Sequence, residues 1–187
     1  MIEIAAVVLA AGNSRRFGRA DKLEQKLGGE PLAFHIADTL KPLGLRWRIA
    51  VCRGVGGRVP EGFVQRGFEI VVNPDAGRGL GSSLALGAAR ARGLGAGGVL
   101  VALADMPLIT VDHLRRLVAR FDDDPASAVA SAGGSYRGPP ALFPARLFGA
   151  LGTLTGDSGA RPLLAGAATV EADEAQFRDF DLPADFT

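Results

Sequence analysis

The sequence predicts an α/β fold: a single-domain, three-layer α/β/α sandwich around a mostly parallel sheet, covering residues 1–187. The length of 187 residues matches one domain, at roughly 150 residues per domain. Ile4–Leu9 is an unbroken apolar run, as expected for a strand buried on both faces of a parallel sheet. Apolar segments of strand length then alternate with segments of helical periodicity, which implies right-handed βαβ crossovers.

The individual elements follow from apolar spacing and from the residues that begin and end helices. Leu32, Ile36 and Leu40 share one helical face between Pro31 and Gly44, and these two residue types commonly occupy the two ends of a helix. Later helices are predicted to begin at Ser82, Thr110, Pro144 and Asp157, with the serine, threonine and aspartate as N-caps. The predicted strands after the first are Arg48–Cys52, Phe68–Val72, Val99–Leu103, Ala128–Ala132 and Ala141–Phe143.

Composition excludes several classes of function. Lysine and arginine total 21 against 20 aspartates and glutamates, so the net charge of +1 gives no electrostatic case for a nucleic acid or membrane partner. Cys52 is the one cysteine and cannot form an internal disulfide. The start of the sequence shows no export signal, so we expect a cytoplasmic protein. One cysteine and two histidines leave little room for a zinc site or a Ser-His-Asp mechanism.

The loop after the first strand is the first candidate ligand site, because open α/β sheets bind ligands at the carboxyl ends of their strands. Small residues at Ala10, Ala11 and Gly12 would let the backbone approach a phosphate or a base. Arg15, Arg16 and Lys22 supply positive charge for phosphate oxygens. The loop is not a Walker A sequence, and the alternative interpretation is a basic surface turn.

Three further segments are candidates. Asp105 follows an apolar strand, where its carboxylate would either bind Mg²⁺ or cap backbone amides. The glycine-rich stretch Asn73–Leu84 runs into a helix N-terminus, which favours an anionic or polar ligand, although Ser82 and Ser83 would also serve as plain N-caps. Asp157 is either a second metal ligand or a helix cap. His35, His113 and Cys52 are predicted to be structural.

Together these segments resemble the nucleotidyltransferases related to molybdenum cofactor guanylyl- and cytidylyltransferases. The family opens with Leu-Ala-(Ala/Gly)-Gly-x-Ser-x-Arg-(Met/Phe)-Gly followed by a lysine, which here is Leu9–Gly18 with Arg16 and Lys22. Leu103–Pro107 resembles its metal-binding Leu-x-Asp-x-Pro. Ala11, Gly81–Leu84 and Gly156–Arg161 resemble the cytidylyl branch, although Pro139 stands where that branch often has a histidine.

The resemblance implies a Rossmann-like fold and transfer of CMP from CTP to the terminal phosphate of molybdopterin cofactor, with release of pyrophosphate. A molybdenum hydroxylase would be the recipient of the product. It also implies that Arg16 and Lys22 bind the triphosphate and that Asp105, together with Asp157, holds Mg²⁺. The implied substrate-binding residues are Leu9, Ala10, Ala11, Gly12, Asn73, Gly81, Ser82 and Ser83. Alternatives are GTP as donor, another phosphorylated acceptor, or a non-catalytic accessory that binds and delivers the cofactor.

Overall fold

A computed structural model describes residues 2–12 and 21–186 of the chain. Its first half contains the strands and helices β1 (Ile4–Leu9), β2 (Lys26–Leu27), β3 (Glu30–Pro31), α1 (Leu32–Leu40), β4 (Trp47–Cys52), α2 (Arg58–Gln65), β5 (Glu69–Val72) and α3 (Leu80–Gly93). Its second half contains β6 (Gly98–Leu103), α4 (Val111–Asp123), β7 (Val129–Gly133), β8 (Tyr136–Pro144), α5 (Phe148–Gly152) and β9 (Ala168–Glu171). Short 3₁₀ turns, such as Lys22–Glu24 and Arg161–Leu164, lie in the connections.

The sheet is mostly parallel, as predicted. Across the described ranges its strand order is β5-β4-β1-β6-β8-β7-β9. Strands β5, β4, β1 and β6 pair in parallel, and β7 pairs in parallel with β9. Strand β8 runs antiparallel to both of its neighbours, β6 and β7. The short strands β2 and β3 form a separate antiparallel pair before α1.

Helices cover both faces of this sheet, which confirms the three-layer prediction. Because side chains alternate along a strand, Ile4, Ala6 and Val8 of β1 enter the core on one face, whereas Ala5, Val7 and Leu9 enter the core on the other. Helices α1, α2 and α4 pack on the first face, and α3 and α5 pack on the second. All six residues of β1 are buried, as expected for a central strand between two helical layers.

The topology creates a crevice between β1 and β6. The chain leaves β1 through α1 to β4 on one side, and later returns through α3 to β6 on the other side. At such a switch point the connections diverge beyond the carboxyl ends of the strands and leave room for a ligand. Leu9 and Leu103 are paired at the ends of the two strands, so the loops that follow them open onto the same crevice.

Several predicted helix boundaries are confirmed. The oxygen of Thr110 accepts a hydrogen bond from the backbone N–H of His113, as an N-cap does. Helix α1 begins directly after Pro31, and the chain leaves the following 3₁₀ turn at Gly44 with a left-handed φ of 64°. Pro144 precedes the 3₁₀ turn that leads into α5.

Two predicted caps are wrong. Helix α3 begins at Leu80 with Gly79 as its N-cap, and Ser82 lies inside the first turn, where its hydroxyl donates to the carbonyl oxygen of Gly79. Asp157 lies in a turn, and the short 3₁₀ segment that follows has Ala160 as its N-cap. Ser82 thus stabilises the first turn of α3 from within, and Asp157 lies beside the crevice.

Helix α2 and strand β9 are absent from the sequence prediction. The segment before β5 contains Gly54, Gly56, Gly57 and Pro60, which are poor helix formers, yet Phe63 of α2 is fully buried against the core. Burial of a large aromatic side chain outweighs the low helix propensity of glycine. Within residues 2–12 and 21–186, no helix is long and apolar enough to cross a membrane.

Candidate active site

The crevice holds a cleft of about 330 Å³, within the size range of small-molecule sites. The described residues that line it come from β1 and the loop after it, the glycine-rich loop and the start of α3, the end of β6 and the loop after it, and the turn after α5. They are Leu9, Ala11, Gly12, Lys22, Leu23, Ala76, Gly77, Gly79, Leu80, Ser83, Leu103, Ala104, Asp105 and Asp157. Seven of the predicted site residues therefore meet here from four distant parts of the chain, whereas Ala10, Asn73, Gly81 and Ser82 do not line the described cleft.

The backbone after β1 forms the floor of the cleft. Ala10 donates its backbone N–H to Val51 at 2.8 Å, and Ala104 donates its N–H to Leu9 at 3.1 Å, so both loops continue the pairing of the sheet. Ala10 and Ala11 are buried, whereas Gly12 is exposed and has open space where a side chain would project. A ligand can thus approach this backbone closely. Arg16 lies outside the described residues.

Lys22 lies between two carboxylates, one from the middle of the sequence and one from near its C-terminus. Its Nζ is 2.6 Å from Asp105 Oδ2 and 2.6 Å from Asp181 Oδ1. Burial lowers the pKa of Lys22, but the ion pairs with Asp105 and Asp181 outweigh it, and the pKa lies above its ordinary value. Lys22 is therefore a fully charged ammonium in this site.

Asp181 reaches Lys22 because the C-terminal segment folds back onto the loop after β6. The backbone N–H of Phe180 donates to the carbonyl oxygen of Asp105 at 3.0 Å, and the Phe180 side chain is buried. Asp185 then accepts the backbone N–H groups of Asp181 and Leu182 at 2.8 and 2.7 Å. Asp181 is held in place by its backbone on both sides.

Asp179 adds a third carboxyl group to this region. Partial burial, followed by the negative charges of Asp105 and Asp181, raises the pKa of Asp179 to about 6. Lys22 and Arg161 lower the pKa of Asp179 but do not cancel the effects of burial and of the two carboxylates. Sequence reasoning missed both Asp179 and Asp181, because nothing local in the C-terminal segment indicates that it returns to β6.

The glycine-rich loop is held by a buried asparagine. The side-chain amide of Asn73 donates to the hydroxyls of Ser82 at 3.0 Å and Ser83 at 2.9 Å. Its carbonyl oxygen accepts the backbone N–H of Asp75 at 3.0 Å. Asn73 thus uses its donors and its acceptor to position the loop, and it does not line the described cleft.

Ser82 and Ser83 have different roles. The hydroxyl of Ser82 donates back to the carbonyl oxygen of Gly79 at 2.8 Å, so it serves the helix entry. Ser83 is buried, lines the cleft and accepts a hydrogen bond from Asn73. Among the residues the structure describes, none accepts the Ser83 hydroxyl proton, which remains available for a ligand.

The segment around Asp157 closes the cleft on the side of α3. Gly156 donates its N–H to Arg78 at 2.9 Å and accepts the N–H of Gly81 at 2.9 Å, so the two loops are paired. Gly79 has a φ of 91°, and a Cβ atom on it would lie 2.5 Å from Asp157 Oδ1. The loops approach each other this closely because residue 79 is glycine.

The remaining candidates do not line the described cleft. His113 is fully buried; since Ser131 donates its hydroxyl proton to Pro140 at 2.6 Å, His113 Nε2 donates to Ser131 at 2.7 Å. Burial and the nearby Arg116 lower the pKa of His113 to about 4. Cys52 is buried, and desolvation raises its pKa to about 12. Within the described ranges, no group of three or more His, Cys, Asp or Glu residues forms a metal-binding cluster.

A model of the MobA-like NTP transferase domain matches residues 6–174 of the chain. The chain belongs to this family. The match runs from β1, through the loops that build the cleft, to beyond β9. It confirms the family resemblance that the motifs indicate and makes the chain a nucleotidyltransferase.

Curated relatives of this NTP transferase include proteins with different names. It is 33% identical to the purine catabolism protein PucB of Bacillus subtilis, over 98% of the chain and 94% of PucB. It is 32% identical to a probable molybdenum cofactor guanylyltransferase of Pyrococcus horikoshii, over 65% of the chain and 58% of that protein. The family is therefore shared, but the relatives do not agree on one named activity.

A solved structure confirms the fold of the NTP transferase. Rv0371c from Mycobacterium tuberculosis H37Rv matches with a TM-score of 0.80 and 27% identity, covering 98% of the chain and 96% of that protein. A complex of Rv0371c with manganese gives a TM-score of 0.71 and 25% identity, with coverage of 91% and 89%. The Rossmann-like sandwich with its mostly parallel sheet is thus the fold of this family.

Proposed function

We propose that this nucleotidyltransferase transfers CMP from CTP to the terminal phosphate of molybdenum cofactor and releases pyrophosphate. The observation that carries the proposal is the cluster in which Lys22 and Asp105 line the cleft and Asp181 pairs with Lys22, while leucine, alanine and glycine residues form most of the remaining lining. A cluster of this kind suits a metal-bound triphosphate, and the remaining cleft suits a nucleoside. The guanylyltransferase among the relatives supports a molybdenum cofactor acceptor.

The nucleoside would lie against the backbone of Ala10, Ala11 and Gly12. The Ser83 hydroxyl, which Asn73 orients, would donate to an acceptor atom of the base or ribose. Gly81 and Ser82 would shape this wall without direct contact, because Gly81 pairs with Gly156 through its N–H.

CTP is the proposed donor because two segments at the cleft resemble those of the cytidylyl branch. Ala11 replaces the glycine usual in guanylyl enzymes, and Ser82-Ser83 replaces their Pro-Leu. We expect kcat/KM for CTP to exceed that for GTP at least tenfold, which requires about 1.4 kcal/mol of discrimination. Steady-state kinetics with both nucleotides measures this ratio. Equal or better turnover of GTP would favour the guanylyl alternative, which the Pyrococcus horikoshii relative supports.

Asp105 and Asp181 fit a divalent metal ion. Their oxygens already share one cation, the ammonium of Lys22, at 2.6 Å each. Mg²⁺ binds carboxylate oxygens at about 2.0–2.1 Å and completes its shell with water and phosphate oxygens. When bound, the ion would neutralise charge on the phosphates. The manganese complex of Rv0371c supports a divalent ion in a relative. A role of Asp157 as a second ligand stays a prediction.

The chain's own residues position the reactants. A phosphate oxygen of the acceptor forms a bond to the α-phosphorus, and the bond between the α-phosphorus and the bridging oxygen breaks as pyrophosphate leaves. The acceptor phosphate is already an anion, so the reaction needs no general base, and neither histidine lines the described cleft. Arg16 and Lys22 would bind the triphosphate and stabilise charge on the leaving pyrophosphate.

The test is pyrophosphate release with each of the four NTPs, with and without molybdenum cofactor. The proposal expects release with CTP that depends on the cofactor. Release that requires another phosphorylated acceptor would keep the transferase and replace the substrate. Binding of the cofactor without release would indicate an accessory that delivers the cofactor to a molybdenum hydroxylase, rather than an enzyme that prepares it for one.

A further inference from the structure

Lys22 occupies the position between Asp105 and Asp181 that the proposed metal ion would need. Its Nζ lies 2.6 Å from an oxygen of each carboxylate, and the lysine side chain is 12% exposed. The three residues come from the loop after β1, the end of β6 and the C-terminal segment. The ammonium is therefore the cation around which these three parts of the chain meet.

A divalent ion and this ammonium exclude each other. Both would bind the carboxylates of Asp105 and Asp181, and an ion bound by both at a magnesium–oxygen distance of about 2.0–2.1 Å would leave no room for the ammonium between them. Two cations at that separation in a partly buried site repel strongly. Binding of the metal ion therefore requires Lys22 to leave both carboxylates.

Lys22 can leave at low cost only if another anion accepts it. An ammonium withdrawn from its carboxylates in a partly buried site loses charge compensation, which is unfavourable. Lys22 also lines the cleft, and its flexible stem allows the ammonium to turn towards a ligand there. A triphosphate in the cleft would supply the new partner for Lys22 as the metal ion takes over the carboxylates.

We propose that Lys22 is a resident counter-ion that closes the metal site of the nucleotide-free protein, so that divalent metal and nucleoside triphosphate bind with positive coupling. Metal alone must displace Lys22 from both carboxylates and brings no new anion for it, whereas metal with nucleotide exchanges one set of ion pairs for another. The same lysine thereby keeps two facing carboxylates together before substrate arrives. This inference rests on the proposed function, because it assigns the metal ion to Asp105 and Asp181.

The test is titration of the nucleotide-free, full-length protein with Mn²⁺, with free Mn²⁺ measured by its EPR signal. Lys22→Met should lower the Kd for Mn²⁺ at least tenfold relative to wild type. Lys26→Met is the matched control, because Lys26 is an exposed lysine in β2 that does not line the cleft, and it should leave the Kd unchanged. Adding Asp105→Asn to Lys22→Met should abolish the gain, since the gain requires that carboxylate.

A Kd for Lys22→Met that equals or exceeds that of wild type, including an absence of measurable binding, would overturn the inference. Circular dichroism checks that the variant is folded, and Lys22→Gln replaces it if the methionine variant is unfolded. Pyrophosphate release by the wild type separates the two claims. If the wild type releases pyrophosphate but Lys22→Met binds Mn²⁺ no more tightly than wild type, the counter-ion role alone is refuted. If Lys22→Met binds Mn²⁺ more tightly but the wild type releases no pyrophosphate, the transferase proposal alone is refuted.

Discussion

Replacing Gly79 by alanine is expected to destabilise the protein and to distort the cleft. Gly79 has φ 91° and ψ 177°, a region that residues with a Cβ atom avoid. A Cβ atom would also lie 2.5 Å from Asp157 Oδ1 and 2.5 Å from the backbone carbon of Gly156. The backbone atom cannot move freely, because Gly156 is hydrogen-bonded to Arg78 and Gly81.

The magnitude follows from these two terms. Backbone strain in such a region costs about 1–3 kcal/mol, and overpacking against fixed atoms costs a similar amount. We therefore expect the free energy of unfolding to fall by about 3 kcal/mol. For a chain of this length, that loss corresponds to a decrease in Tm of about 6–12 °C.

Chemical denaturation and thermal unfolding measure the effect, and KM for the nucleotide reports on the cleft. Gly93→Ala is the control, because Gly93 ends α3 with a negative φ and open space around it. That variant should be neutral or more stable by up to about 1 kcal/mol. If Gly79→Ala unfolds at the same denaturant concentration as wild type, the close pairing of the two loops is incorrect.

Three further predictions concern single side chains. Asp105→Asn and Asp181→Asn should each lower kcat, the former about a hundredfold or more, because each removes a charge from the proposed metal site. The control Asp122→Asn, at the exposed end of α4, should leave kcat unchanged. Near-full activity of Asp105→Asn at modest Mg²⁺ would contradict the assignment of Asp105 to the metal site. Arg16→Ala should lower kcat by loss of a charge-assisted contact of about 1.5–3 kcal/mol, whereas Arg15→Ala should cost little; a larger loss from Arg15→Ala would reverse the two roles. Because burial lowers the pKa of His113 to about 4, the unfolded chain binds a proton at this residue more readily than the folded chain does. The His113 contribution to the free energy of unfolding should therefore be complete above pH 6.5 and fall by up to about 3 kcal/mol towards pH 4. In denaturation experiments across this range, the free energy of unfolding of His113→Gln should depend less steeply on pH, and an unchanged dependence would rule out His113 as the cause.

The central part of the fold is readily predicted from the sequence, because its signals are local. Ile4–Leu9 is apolar at every position, as a strand between two helical layers must be, and β1 has the predicted bounds. Asp105 follows a second such run, so its place at the carboxyl end of β6 also follows from the sequence. These two strands flank the switch point, which is why the position of the cleft could be predicted.

The position of Asp181 beside Lys22 could not be predicted, because it depends on a contact between distant segments. Asp181 reaches Lys22 across 159 positions, and the hydrogen bond from Phe180 to Asp105 guides it there. No periodicity or motif in the last residues indicates this return. Asp157 lies in the segment Gly156–Arg161, which resembles the cytidylyl branch, and its predicted role as a second metal ligand stays a prediction.

The start of α3 shows a different limit. Ser82 is a good N-cap residue, so propensity places the helix start there, but the chain uses Gly79 because only glycine permits the close approach of Gly156. That requirement comes from tertiary packing and leaves no mark on the local pattern. The hydroxyl of Ser82 still stabilises the helix entry by donating to Gly79.

The fate of the α-phosphorus of CTP tests the central claim most directly. The protein is incubated with α-labelled CTP, a divalent metal ion and molybdenum cofactor, and the label is followed by chromatography together with pyrophosphate release. We expect the label to enter the cofactor product in an amount equal to the pyrophosphate formed, and we expect Asp105→Asn to suppress both. Label that remains in CTP, or that appears as free CMP while the cofactor stays unlabelled, would contradict it.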